Sequence, residues 1–358
     1  MGSAAPTASV SAVGTGPLPA TLPAEVRGAG RDDVRLLLST GRGHRGLRFS
    51  DLPGVLTPGD LLVVNDSATL AASLPAEGRL GVFRLNLSTR YGPRCWLAEP
   101  RRSHDAPGPL ALEPGDVATI GRRRRVRVRF VAPHPASPRL WFVAAEAPLE
   151  PTVSVDGAPI HYAYLERPQP IAAYQTVFAR VPGSAEMPSA ARPFTPATLA
   201  ALEARDVGVA ALTLHAGVSS IELPPEPSQR SVLYGEPFQV GPATAERIHA
   251  TRRRGGRVIA VGTTVVRALE TAFRHGRVHA ARGFTQRFVR PGAVRGAVDG
   301  LLTGFHEPRS THLALLEALA GETLVAEAYR RALADSYLWH EFGDVHLLLP
   351  DRRGEAAQ

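Results

Sequence analysis

Residues 255–270 read GGRVIAVGTTVVRALE. A Gly-Gly turn leads into the apolar run Val258 to Val261, and Gly262-Thr263-Thr264 then opens a helix. A strand passing through a tight junction into a helix is the repeating unit of an α/β sheet. The same alternation runs through the chain beyond Pro151, with helices expected over 195–205, 242–254, 264–274 and 312–334. Strands are expected over 210–215, 257–261 and 344–349. Thr195 followed by Pro196 marks a capped helix start. Upstream, TPGDLLVVNDSATLAA (57–72) combines a Pro-Gly turn, a short run Leu61 to Val64 suited to a buried strand, and a polar stop at Asn65-Asp66-Ser67.

From about 75 to 147 the texture changes to short alternating runs separated by turn signals. Val126, Val128 and Phe130 are set against Arg125, Arg127 and Arg129. This predicts a small antiparallel β-barrel inserted into a mixed α/β body, a two-domain α/β fold. The expected division is a disordered leader over 1–28, a discontinuous body over 29–74 and 148–350, the barrel over 75–147, and a frayed tail over 351–358.

The 358 residues are 44% hydrophobic and carry a formal net charge of +8, all of the positive charge from arginine since the chain has no lysine. That balance leans towards an anionic partner and equally serves solubility. The single cysteine, Cys95, excludes an internal disulfide framework and a cysteine-cluster metal site, in keeping with a reducing compartment. The first 28 residues lack the basic start and apolar run of a signal peptide, and no stretch has the length of a membrane span. A cytoplasmic monomer is expected, with no membrane or DNA partner.

Three segments concentrate polar chemistry. The Gly262-Thr263-Thr264 junction presents free N–H groups and hydroxyls suited to a carboxylate or phosphate, while Thr264 alone would serve as a cap. In ALTLHAGVSS (211–220), His215 ends an apolar strand, where it is a general base, a clamp, or a structural hydrogen-bonder. In VDGLLTGFHEPRSTHLALLEALAG (298–321), Asp299, Thr303, His306, Glu307, Arg309, Ser310 and Thr311 crowd a helix entrance that Ser310 or Thr311 caps. His306 and His312 are six apart, which is not a zinc spacing, and no metal site is expected. The phosphate-binding loop, the nucleophile elbow and the dinucleotide fingerprint are all absent. Arg122 to Arg125, with Arg127 and Arg129, form either a phosphate-neutralising face or a solvated strand edge.

In order, LTPGDLLVVNDSATLAASL, YQTVFARVPGSAEMPSA, LTLHAGVSS, GRVIAVGTTVVRALE, VDGLLTGFHEPRSTHLALLEALAG and FGD resemble the landmarks of the S-adenosylmethionine:tRNA ribosyltransferase-isomerases of the queuosine pathway, over about 56–349. The resemblance implies an α/β body carrying a β-barrel. It also implies transfer of the ribosyl part of S-adenosylmethionine to 7-aminomethyl-7-deazaguanine in tRNA, giving epoxyqueuosine and releasing adenine and methionine. S-adenosylmethionine is then the co-substrate and tRNA the partner. The sulfonium acidifies the adjacent 5′ carbon and makes methionine a good leaving group, so the protein supplies a base and a grip on the methionine carboxylate.

Carried onto matching positions, the resemblance implies His215 as base or clamp, with Asp299 and His306 as catalytic pocket wall. It implies cofactor binding by Gly262, Thr263, Thr264, Arg267 and Asp66, and substrate binding by Tyr174, Gln175 and Glu236. Thr176 and Asp344 also match family motifs. Departures are specific. Family P-T-A-G-L-H-F is Pro188-Ser189-Ala190-Ala191-Arg192-Pro193-Phe194, so Pro193 replaces a histidine and every ring donor and acceptor it had. L-H-V-G-A-G-T-F is Leu214-His215-Ala216-Gly217-Val218-Ser219-Ser220-Ile221, with one glycine and the Thr-Phe gone. H-x-M-H-x-E keeps Glu236 but has Leu233 and Tyr234, and T-N-F-H-L-P has Gly304 for asparagine. A small-molecule acceptor, or a non-catalytic tRNA-binding paralogue, are the alternatives these positions raise.

Overall fold

The computed structural model describes residues 17–104, 106, 108–135, 137–218, 233–294, 296–307 and 310–350. Its body is built on a nine-stranded mixed sheet. The strand order is Ala281–Thr285, Glu236–Val240, Gly208–Leu214, Leu61–Asn65, Val258–Val261, Gly300–Gly304, Val345–Leu349, Arg35–Thr40 and Gly43–Arg48. The four strands from Gly208–Leu214 to Gly300–Gly304 are mutually parallel, so their carboxyl ends share one edge. Antiparallel strands flank them on both sides.

The continuous apolar runs of the central strands follow from burial on both faces. Leu61, Val63, Val258, Ala260 and Leu301 pack with Ile248, Val266 and Leu315 on one face; Leu62, Val64, Ile259, Val261 and Leu302 pack with Phe49, Phe194 and Leu202 on the other. Alternation of side chains along each strand thus divides one apolar run between two cores.

The expected barrel is present. Six antiparallel strands close in the order Val126–His134, Ser137–Ala145, Cys95–Arg101, Gly81–Gly92, Ser73–Gly78 and Val117–Ile120. Val126, Val128 and Phe130 point into its core beside Phe83, Trp96 and Trp141, while Arg127 and Arg129 face outward. Arg127 reaches Glu146 at 3.4 Å and Arg125 reaches Glu77 at 3.9 Å, both pairs exposed, which is how a solvated strand edge behaves.

Three expectations change. The helix expected over 312–334 is two helices, Thr311–Ala320 and Glu322–Ala334, broken at Gly321, whose φ of +86° ends one and starts the next. The helix expected to reach 274 stops at Ala272, because Phe273–Arg274 pairs antiparallel with Arg277–Val278 across His275 and Gly276, both at positive φ. The leader is ordered from residue 17: Leu18–Pro19 pairs in parallel with Leu338–Trp339, and Ala20 and Ala24 are buried. Small apolar side chains there dock against the body, and Glu25 pairs with the buried Arg192 at 3.0 Å. Residues 1–16, the tail 351–358, Ser219, Ser220, Ile221 and Arg309 lie outside the described residues. No helix among the described residues is long and apolar enough to cross a membrane.

Candidate active site

In an open α/β sheet ligands gather at the carboxyl ends of parallel strands. Here four such ends run into Asp66, His215, Gly262 and, one residue beyond Phe305, His306. Asn65 ties two of them together: its amide nitrogen donates to Leu214 O at 2.8 Å, and its side-chain oxygen accepts from Leu214 N at 2.9 Å and Ser67 N at 3.1 Å. A cavity of about 1010 Å³ opens beside this edge, with walls from the body and from Ser137 to Arg139 of the barrel. Its size suits a nucleoside-bearing ligand.

Gly262, Thr263 and Thr264 line the cavity at the start of the Thr263–Ala272 helix. Gly262 occupies the cap position at φ +97°, and no side chain caps this helix. Thr264 is therefore not the cap; Val265 N already donates to Gly262 O at 3.1 Å, and the N–H groups of Thr263 and Thr264 are those left for a ligand. One turn further, Arg267 lines the same wall and is paired in the interior with Glu236, which also accepts from Gly217 N at 3.0 Å. Burial opposes the Arg267 charge, but the Glu236 carboxylate outweighs it and the guanidinium pKa is raised. Arg267 Nε is buried without a hydrogen-bond partner.

His306 Nε2 lies 2.8 Å from Thr303 Oγ1, the backbone N–H of His306 donates to the Tyr329 hydroxyl at 3.1 Å, and the His306 ring centroid is 4.6 Å from that of His312. Burial, with a smaller contribution from His340, lowers its pKa to about 4. Burial, then His306 and Arg267, hold His312 well below the ordinary range. Both imidazoles are neutral at physiological pH and offer the cavity uncharged donors and acceptors.

The structure brings together Glu236, Gly262, Thr263, Thr264, Arg267 and His306; five other expected site residues lie outside the cavity lining. His215 Nδ1 is 2.7 Å from Ser67 Oγ and its ring packs so closely on Gly183 that a Cβ there would sit 2.5 Å from it. Its neighbours Ala216 and Gly217, not His215, form the wall. Burial lowers its pKa, with Asp66 acting against the change. Asp66 accepts from Thr213 Oγ1 at 2.6 Å and pairs with Arg180 at 2.7 Å, and none of the three lines the cavity. Tyr174 packs on Phe342 and accepts from Thr69 Oγ1 at 2.9 Å through its carbonyl; Gln175 clamps the Thr69 backbone from both sides, at 3.0 and 2.8 Å. These two residues splint the chain entering the barrel.

Asp299 is displaced most. It precedes the Gly300–Gly304 strand, so it lies at the amino-terminal edge, about 17 Å of strand from the edge that carries His306. There its carboxylate accepts from Val258 N at 2.8 Å and faces Arg252 at 3.9 Å. The expected catalytic wall role therefore has no supporting geometry. Asp299→Ala is expected to cost about 1–2 kcal/mol in urea titrations and to leave ligand binding in the cavity unchanged; lost binding at full stability would return Asp299 to the site.

Sequence reasoning missed Tyr162, Glu186, Arg287, His340 and Glu341, all in the cavity wall. Tyr162 hydrogen-bonds Glu186, and its pKa is pushed well above the usual range by burial and by the Glu186 and Glu341 carboxylates. The available signal was His340-Glu341 standing directly before the Phe342-Gly343-Asp344 landmark. Asp344 pins that turn, accepting from Leu338 N at 2.8 Å and Arg35 N at 2.7 Å. Among the described residues no group of three or more His, Cys, Asp or Glu side chains is placed to hold a metal ion.

The family model for queuosine biosynthesis proteins matches residues 17–348. The chain belongs to this family. It is 37% identical over 328 residues to the S-adenosylmethionine:tRNA ribosyltransferase-isomerase of Rhodospirillum rubrum, covering 89% of this chain and 92% of that one. The protein of the same name from Anaeromyxobacter sp. strain K is 38% identical, covering 93% and 97%. The crystal structure of S-adenosylmethionine tRNA ribosyltransferase from Thermotoga maritima covers 93% of this chain and 96% of its own at 26% identity, with a TM-score of 0.51. Family membership makes the chain an enzyme of the transferase and isomerase type, and the mixed α/β body with its barrel is the family's architecture.

Proposed function

We propose that the chain transfers the ribosyl part of S-adenosylmethionine to 7-aminomethyl-7-deazaguanine in tRNA, forming epoxyqueuosine with release of adenine and methionine. The observation that carries this reading is the convergence of the uncapped Thr263–Ala272 helix start, Arg267 and two neutral histidines on one large cavity. The helix start and Arg267 suit the methionine carboxylate, since both direct donors and positive charge at an anion. His306 and Thr303 suit the ribosyl hydroxyls. The partner is tRNA by the names of the relatives, and the basic net charge of +8 favours approach to an anion.

A second reading, a small-molecule acceptor, is favoured by two positions in the cavity wall. Tyr234 is buried with its hydroxyl donating to Val218 O at 2.9 Å, and a Cβ at Gly304 would meet nothing within 4 Å, so the wall is open where a larger side chain would fill it. Pro193 is buried outside the lining and bears less directly on acceptor choice. Labelled S-adenosylmethionine incubated with tRNA carrying the deazaguanine base is expected to release adenine and methionine and to leave label in the tRNA. Release that needs only the free deazapurine would instead establish the small acceptor. Tight ligand binding with no release under either condition would sink both.

A further inference from the structure

The reaction needs a base, and the geometry of the Leu338–Asp344 turn supplies one that the family's landmark residues do not include. We propose that Glu341 is the proton acceptor, taking a proton from the carbon beside the sulfonium of the bound substrate. This rests on the functional reading above.

Glu341 lines the cavity, and its Oε2 is buried without a hydrogen-bond partner. A carboxylate oxygen left without a partner out of water is costly, and folds retain such groups where chemistry uses them. The backbone that carries it is held in an uncommon shape. His340, the preceding residue, sits at φ +72°, stacks on Tyr164 with centroids 4.4 Å apart and places Nε2 3.5 Å from Glu307. Gly343 N donates to His340 O at 3.0 Å, and Asp344 N donates to Leu338 O at 2.8 Å. Both ends of the turn are thus fixed, and the strain at a non-glycine residue is of the kind that accompanies functional sites.

The groups around Glu341 do not neutralise it. Tyr162 lies within electrostatic reach of it, Glu186 and Glu307 share the cavity wall, and His340 precedes it on its own turn. Burial holds the His340 imidazole neutral by lowering its pKa, and burial raises the Glu341 carboxyl to about 7. The carboxyl is therefore a matched base near neutrality. In the step, the Glu341 oxygen forms an O–H bond as the 5′ C–H bond breaks. The electron pair stays on carbon, stabilised by the adjacent sulfonium, and no oxidant or reductant takes part.

The test uses the full chain in deuterated water with S-adenosylmethionine, reading deuterium at the 5′ carbon of recovered ligand by mass spectrometry. Wild type is expected to exchange, with a rate that rises with pH through about 7, and Glu341→Gln to exchange roughly 100-fold more slowly with that limb gone. Glu341→Asp should restore part of the rate, and calorimetry should show ligand affinity within about 3-fold of wild type in both variants. Infrared difference spectra of wild type against Glu341→Gln should show a carboxyl titrating near neutrality. Exchange intact in a ligand-binding Glu341→Gln, or a carboxyl titrating in the ordinary carboxylate range, overturns the assignment alone. A wild type that binds no S-adenosylmethionine sinks the functional reading, and the assignment with it.

Discussion

Arg267→Ala is expected to lower stability by about 3–5 kcal/mol and to abolish ligand binding in the cavity. The size follows from what is left behind. Glu236 is almost fully buried, and without the guanidinium its charge keeps, among the described residues, the hydrogen bond from Gly217 N. Removing one member of a buried pair exposes the full desolvation cost of the other. Glu236→Gln combined with Arg267→Met removes both charges while keeping apolar volume, so it should recover most of the lost stability in urea melts without recovering binding. Strict additivity of the two single losses would show that the pair is not coupled. Recovery of binding in the double variant would show that Arg267 does not hold the ligand.

Gly343→Ala is the second large effect, and it acts through shape. A Cβ at this position would lie 2.4 Å from Leu338 O and 2.7 Å from Trp339 C and O. These are backbone atoms of a strand paired to Leu18–Pro19, so the neighbour cannot rotate away. The turn must open, breaking the Gly343 N to His340 O bond and shifting the Asp344 anchor. A cost of about 3 kcal/mol is expected in thermal or urea melts. Because His340 and Glu341 ride on the same turn, turnover should fall further than stability at a temperature where the variant remains folded. A Gly343→Ala protein with wild-type melting and turnover would mean that the turn relaxes freely.

The site was partly legible because strand direction and motif order reveal which chain ends meet. Gly262, Thr263, Thr264, Arg267, Glu236 and His306 were expected together and are together. Asp299 was misjudged because seven positions separate it from His306 in the chain, whereas the intervening strand carries the two to opposite edges of the sheet. His215 follows the correct strand but is consumed by Ser67 and packed on Gly183, contacts set by segments about 148 and 32 residues away in the chain.

The amino-acid sequence by itself determined the α/β alternation, the inserted barrel with its arginine-studded outer face, and the Gly-Thr-Thr helix start, because each is written in short-range periodicity and turn chemistry. Only the tertiary structure decided where the 312–334 segment breaks, that residues from 17 onward dock on the body, and which polar residues share the cavity. Glu341 shows why. Its place before the Phe342-Gly343-Asp344 landmark marks the segment, but its raised pKa comes from burial, which only the folding of distant segments, such as the one carrying Tyr162, provides.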